Sequence, residues 1–125
     1  MKKIIHTDKA PAAVGPYSQA VEANGTLYIS GQIPINPATG EVVQGDIVAQ
    51  TEQVFANIKA ILAEVGYAMS NVVKTTVLMQ NLGDFAAMNE AYARHFTAQQ
   101  PARSTFQVAK LPKEVQIEIE TIAVK

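Results

Sequence analysis

From position 47 to 65 the chain repeats with the period of a helix. Ile47, Thr51, Val54, Phe55, Ile58, Ile61, Leu62 and Val65 fall on one stripe, the spacing of roughly 3.6 residues that an amphipathic helix needs to bury one side. Asp46 stands ready to cap its N-terminus, and Gly66 sits where a left-handed glycine closes many helices. A second helix is predicted to start near Asp84, with Phe85, Met88, Tyr92 and Phe96 on its core side and Arg94 and His95 turned outward. The remaining apolar runs read as strands. Residues 26–32 alternate Leu27 and Ile29 against Tyr28, Ser30 and Gln32, while residues 72–79 are continuous and β-branched, as in a strand covered on both faces. Residues 18–23 and 3–6 are shorter candidates, with Asn24-Gly25 as a hairpin turn signal.

Two strands close the chain. Pairing Ala109 with Glu114 across Lys110-Leu111-Pro112-Lys113 makes a hairpin in which Phe106 opposes Ile117, Val108 opposes Val115 and Ser104 opposes Ile119. Its other side then carries Arg103 opposite Glu120, Thr105 opposite Glu118, and Arg103 diagonal to Glu118. The predicted order is β-β-β-α-β-α-β-β. That describes one α+β, two-layer domain over residues 1–125, with two helices on one face of a mixed sheet. The strand after the first helix is expected to run parallel to the strand before it. In the last strand Val115, Ile117 and Ile119 point one way, and Ile122 and Val124 the other. The second sheet face therefore also needs cover, and other copies of the chain are the simplest source.

Composition narrows the class. At 125 residues the chain is long enough for one core without staples. Charged residues make up only 17% of it, which favours surface lost to self-association. A net charge of −1 argues against a protein that holds nucleic acid by neutralising phosphates. No cysteine is present, which excludes disulfides and thiolate chemistry. The basic start Met1-Lys2-Lys3 leads into an apolar run too short for a signal peptide, and no stretch is long enough to span a membrane, so a cytoplasmic protein is expected.

The candidate chemistry gathers at the C-terminal strands. Arg103 can offer a planar fork to a small carboxylate, and a nearby Glu118 can hold a water. Opposite charges across a strand pair also decorate solvated sheet faces, at about 0.2–1 kcal/mol per pair. Tyr17 follows the rigid Gly15-Pro16 turn and either meets a ligand or caps a strand edge. Ser30-Gly31 either lets a ligand approach the backbone or marks a bulge. Asn89, within the second helix, either reaches a ligand or is solvated. The phosphate-loop patterns and the Gly-x-Ser-x-Gly elbow are absent, and His6 and His95 lack metal-ligand spacing.

Several motifs together resemble one family. Gly15-Pro16-Tyr17-Ser18-Gln19-Ala20, Ser30-Gly31-Gln32-Ile33-Pro34, Pro101-Ala102-Arg103-Ser104, Leu111-Pro112-Lys113 and Ile117-Glu118-Ile119-Glu120 are similar, in colinear order, to the Rid (YjgF, L-PSP) family. Within it the chain most resembles the RidA deaminase subgroup. The resemblance implies a chorismate-mutase-like fold and a homotrimer with clefts between subunits. It implies hydrolysis of reactive 2-imino acids, such as 2-aminoacrylate and 2-iminobutanoate, to 2-keto acids and ammonia, with no cofactor or metal. By motif, Arg103 would bind the substrate carboxylate, Glu118 would orient or activate water, and Tyr17 would sit by the imine. Ser30, Gly31, Asn89 and Thr105 would line the cleft, Thr105 standing where many members have Cys. The family also supplies rival expectations: a carboxylate-binding sensor or chaperone that does no chemistry, and an endoribonuclease, which the near-neutral charge disfavours.

Overall fold

The helical stripe becomes α1 (Ile47–Glu64) in a computed structural model that describes all residues from Met1 to Lys125. The Asp46 side chain accepts the Ala49 N–H at 2.9 Å, and Gly66 closes the helix at φ +76°. Val54, Phe55, Ile58, Ile61 and Leu62 are buried, each worth roughly 1.5–3 kcal/mol for leaving water. The second helix, α2 (Phe85–Ala93), starts where its spacing predicts and buries Met88 and Tyr92.

The strands are β1 (Lys3–Ile5), β2 (Ala20–Ala23), β3 (Thr26–Gln32), β4 (Ile35–Asn36), β5 (Glu41–Val42), β6 (Val72–Met79), β7 (Ala102–Gln107) and β8 (Ile117–Val124). Six of them form one mixed sheet in the order β1-β2-β3-β8-β6-β7, with both helices against one face. The predicted element order holds, with one addition: β4 and β5 form a small separate hairpin between β3 and α1.

The expected hairpin between the last two strands does not form. β8 enters the middle of the sheet, antiparallel to both β3 and β6, and β7 lies at the edge, parallel to β6. β3 and β6 are thus parallel, as expected, but β8 separates them. The slot between two parallel strands gives β8 two antiparallel ladders and full burial for Ile117, Ile119 and Ala123, more than a single hairpin partner could supply. The connecting segment is no free loop either. Leu111 and Val115 plug into the interior, while Lys113 and Glu114 between them take φ values of +54° and +57°.

This pairing reverses a face. Thr75 of β6 is the partner of both Arg103 and Thr121, so Arg103 lies on the helix side. Glu118 and Glu120 alternate with Ile119 and Thr121 and therefore lie on the other side. The predicted pairs Arg103–Glu120 and Thr105–Glu118 do not exist. Phe106, expected in the apolar row with Ile117, instead shares the uncovered face with Leu78 and Glu118, 55% exposed. Ile4, Tyr28 and Val124 are exposed on that same face. β6 is therefore covered on one face only within a single chain.

His95 does not turn outward. α2 ends at Ala93, so helical spacing no longer governs the position. The His95 ring stacks on Phe55 (centroids 4.3 Å apart, planes at 18°) and its Nε2 lies 3.0 Å from Glu52.

Candidate functional site

The first half of the site is built on a flaw in β3. Ile29 pairs with Thr121 and Gln32 with Ile119, so Ser30 and Gly31 together face Glu120 in a bulge. The Ser30 hydroxyl donates to the Ser18 carbonyl at 2.6 Å, and its N–H to the Gln19 carbonyl at 2.9 Å. Gly31 leaves room for the Glu118 carboxylate: a Cβ there would meet the end of that side chain and push it aside. Buried Gln19 straps the N-terminal segment alongside, accepting the Thr7 N–H at 2.7 Å and donating to the carbonyls of Thr7, Ala10 and Pro11. The result is a cavity of about 660 Å³ lined among others by Tyr17, Ser30, Gly31, Lys113, Glu118 and Glu120.

Gly15, at φ +125°, turns the chain so that the half-exposed Tyr17 ring stands at this cavity, its phenol oxygen 3.4 Å from the Val14 N–H. Burial holds the Glu118 carboxyl above the usual carboxylate range, and the neighbouring charge of Glu120 pushes the same way. A carboxylate so placed retains and releases protons more readily near neutrality than a solvated one.

The second half lies across the sheet. Arg103 Nη1 donates to Asn89 Oδ1 at 2.8 Å, and the guanidinium carbon lies 4.7 Å from the Tyr92 ring centre and 5.6 Å from that of Phe85. The chain's ion pairs are His6–Asp8, Arg94–Glu52 and His95–Glu52, so Arg103 has no acidic partner. Beside it lies a cavity of about 440 Å³ lined by Asn89, Tyr92, Phe96, Gln100, Pro101 and Arg103. Thr105 shares the Arg103 face by its pairing with Val77, and its hydroxyl is buried without a partner. No three acidic or histidine side chains come together as a metal site would need.

The fold thus brings Tyr17, Ser30, Gly31 and Glu118 to one cavity and Asn89 and Arg103 to another, with Thr105 on the Arg103 face of β7 but outside that cavity. Sequence reasoning missed Gln19, Tyr92 and Glu120 as parts of these cavities. Gln19 and Glu120 stand within or beside the motifs already singled out, whereas Tyr92 was hidden in a stripe of core-type aromatics.

Residues 7–125 match the model of the endoribonuclease L-PSP family. The chain belongs to this family, also called Rid. Across all 125 residues it is 47% identical to the 2-iminobutanoate/2-iminopropanoate deaminase of Mus musculus, covering 93% of that protein. The structure of the Rid family protein YyfA from Yersinia pestis superposes with a TM-score of 0.97 at 48% identity, the two chains covering each other fully. That of E. coli TdcF with bound serine gives 0.94 at 44% identity, covering 98% of each chain. The chorismate-mutase-like, two-layer fold of the Rid family is therefore the fold of this chain.

Proposed function

We propose that the protein is an enamine/imine deaminase that hydrolyses reactive 2-imino acids to 2-keto acids and ammonia, at clefts completed by two copies of the chain in a homotrimer. The observation that carries this reading is the division of the site. An arginine without an acidic partner lies on one sheet face, and a carboxylate with a raised pKa lies on the other. Neither half is a catalyst alone. The exposed apolar residues of the uncovered face supply the surface on which copies can pack. The relative named as a deaminase and the one holding serine, a small amino acid, support the substrate class.

The chemistry fits so sparse a site. An iminium carbon beside a carboxylate is already electrophilic, so positioning and proton transfer suffice. Arg103 of one copy clamps the carboxylate as a bidentate fork. Glu118 and Tyr17 of the neighbour hold a water against C2. As the water's oxygen bonds to that carbon, Glu118 takes its proton and passes it towards the nitrogen. The carbinolamine then collapses: its hydroxyl gives its proton to Glu118, which returns it to solvent, the C=O forms, and C–N cleavage releases ammonia and leaves the 2-keto acid. Ser30, Gly31, Asn89 and Thr105 shape the cleft. The near-neutral net charge counts against the endoribonuclease reading of the family description, since phosphate binding ordinarily goes with a basic balance.

Semicarbazide trapping tests the activity directly. The lifetimes of 2-iminobutanoate and 2-iminopropanoate should shorten when the protein is added, and unchanged lifetimes would reduce it to a carboxylate-binding module. Light scattering tests the assembly, since a stable monomer at micromolar concentration would leave the site divided.

A further inference from the structure

An arginine on an edge strand has long rotamer freedom, and here a single side-chain hydrogen bond, to Asn89, holds it. The rest of its support is aromatic. The Tyr92 ring lies under the guanidinium at 4.7 Å and is itself fixed from two other sides. Its hydroxyl is 2.7 Å from the Thr75 hydroxyl, at a position only 1% exposed, and its ring meets Phe55 edge-on at 5.5 Å. Burying a phenol costs stability unless its hydroxyl finds a partner. A phenylalanine would fill the same space without needing Thr75; the hydroxyl pair adds a tie from the ring to β6.

Neutral support matters for a cation that must bind an anion. An Asp or Glu beneath Arg103 would hold the guanidinium firmly but compete with the ligand's carboxylate. A ring face attracts the cation through its quadrupole and leaves the outward donors uncommitted. Asn89, also uncharged, follows the same logic.

We propose that Tyr92 is a positioning residue for carboxylate binding, its Thr75-bonded ring holding the Arg103 guanidinium unneutralised towards the ligand. The proposal rests on Arg103 being the carboxylate clamp. Its test is calorimetric binding of 2-oxobutanoate together with steady-state hydrolysis of 2-iminobutanoate. Tyr92→Leu should weaken binding by about three- to tenfold, the range a cation–π contact supports. KM should rise with kcat nearly unchanged, because the clamp that Tyr92 supports grips the carboxylate equally in substrate and transition state. In an Arg103→Ala background the same substitution should add nothing.

Should Tyr92→Leu fail to fold, Tyr92→Phe followed by stepwise fluorination of that ring keeps the shape while draining the π face. The dissociation constant should then climb with each fluorine. A flat fluorination series, or a Leu effect that persists without Arg103, would make Tyr92 a core residue only and leave the arginine clamp intact. Unchanged binding in Arg103→Ala itself would instead remove the clamp, and this inference with it.

Discussion

The two halves of the site solve opposite electrostatic problems. On the helix side, Arg103 sits among neutral partners, Asn89 and the rings of Tyr92 and Phe85, with its charge left whole. On the bulge side, Glu118 and Glu120 crowd one cavity, and burial together with mutual repulsion raises the Glu118 pKa. One half holds a positive charge ready; the other makes a negative charge costly. Each supplies what the other lacks, and a single sheet keeps them on opposite faces.

Removing the carboxylate should break this complementarity most severely. Glu118→Gln keeps the shape but loses basicity, so hydrolysis should fall on the order of 10²–10⁴-fold, as for loss of a general acid–base group. Binding of 2-keto acids should survive. Glu120→Gln removes the same charge two residues away from an exposed position and should stay within about tenfold of wild type. Equal losses would mean that overall charge, and not water activation, is being measured. In the wild type, kcat/KM should decline on acidification through a pKa above the ordinary 4.5 of a glutamate.

Arg103→Ala should cost on the order of a hundredfold in kcat/KM, the worth of a lost bidentate clamp, and Arg103→Lys should restore little. Mixing provides a sharper test. Unfolding and refolding Arg103→Ala together with Glu118→Gln should recover roughly a quarter of the wild-type clefts, because some neighbours then pair an intact arginine with an intact glutamate. No recovery would place both groups in the same subunit's site, which the face assignment opposes.

Local and non-local information explain what was legible in the chain. The bounds of β3 and β6, the Asp46 cap and the start of α2 all come from periodicity and short-range chemistry, and all hold. The pairing of β8 depends on which neighbour wins a slot, and alternation is blind to that. It gives the parity of residues along one strand, not between strands. Setting Arg103 opposite Glu120 in an assumed hairpin placed the two on one face, whereas the sheet sets Arg103 level with Thr121 through Thr75. A shift of one residue is enough to turn the whole row over. Tyr17, Ser30, Gly31 and Glu118, singled out by their motifs, line one cavity because a bulge and its neighbouring strand hold them close. The support of Arg103 by Tyr92 was invisible, since an aromatic in a core stripe looks the same whether or not a cation rests on it.

Gly31→Ala should have a smaller effect, and one confined to the carboxylate half. The φ of Gly31 is one that alanine tolerates, so the backbone need not strain. The new methyl meets the flexible end of Glu118, which must swing aside. The expected outcome is a melting temperature near wild type, a roughly tenfold lower kcat from a displaced acid–base group, and 2-oxobutanoate binding unchanged. Weakened binding with intact kcat would show that Glu118 helps to hold the ligand and does not direct the water.

The smallest effect should come from His95, behind the arginine half. Burial against Phe55 lowers its pKa below the usual 6.5; the Lys59 and Arg94 charges push the same way, while the Glu52 carboxylate and its hydrogen bond oppose them. The folded chain therefore takes up this proton at lower pH than the unfolded chain does. Between those values the unfolded state binds more protons, so stability rises with pH and is lost as pH falls from about 6.5 towards the folded value. His95→Phe keeps the stack on Phe55 and removes the titration. Its melting temperature should fall less than that of wild type between pH 7 and pH 5, with activity at neutral pH unaltered. If the two proteins lose stability in parallel on acidification, the histidine is not the group that couples this face of the fold to pH.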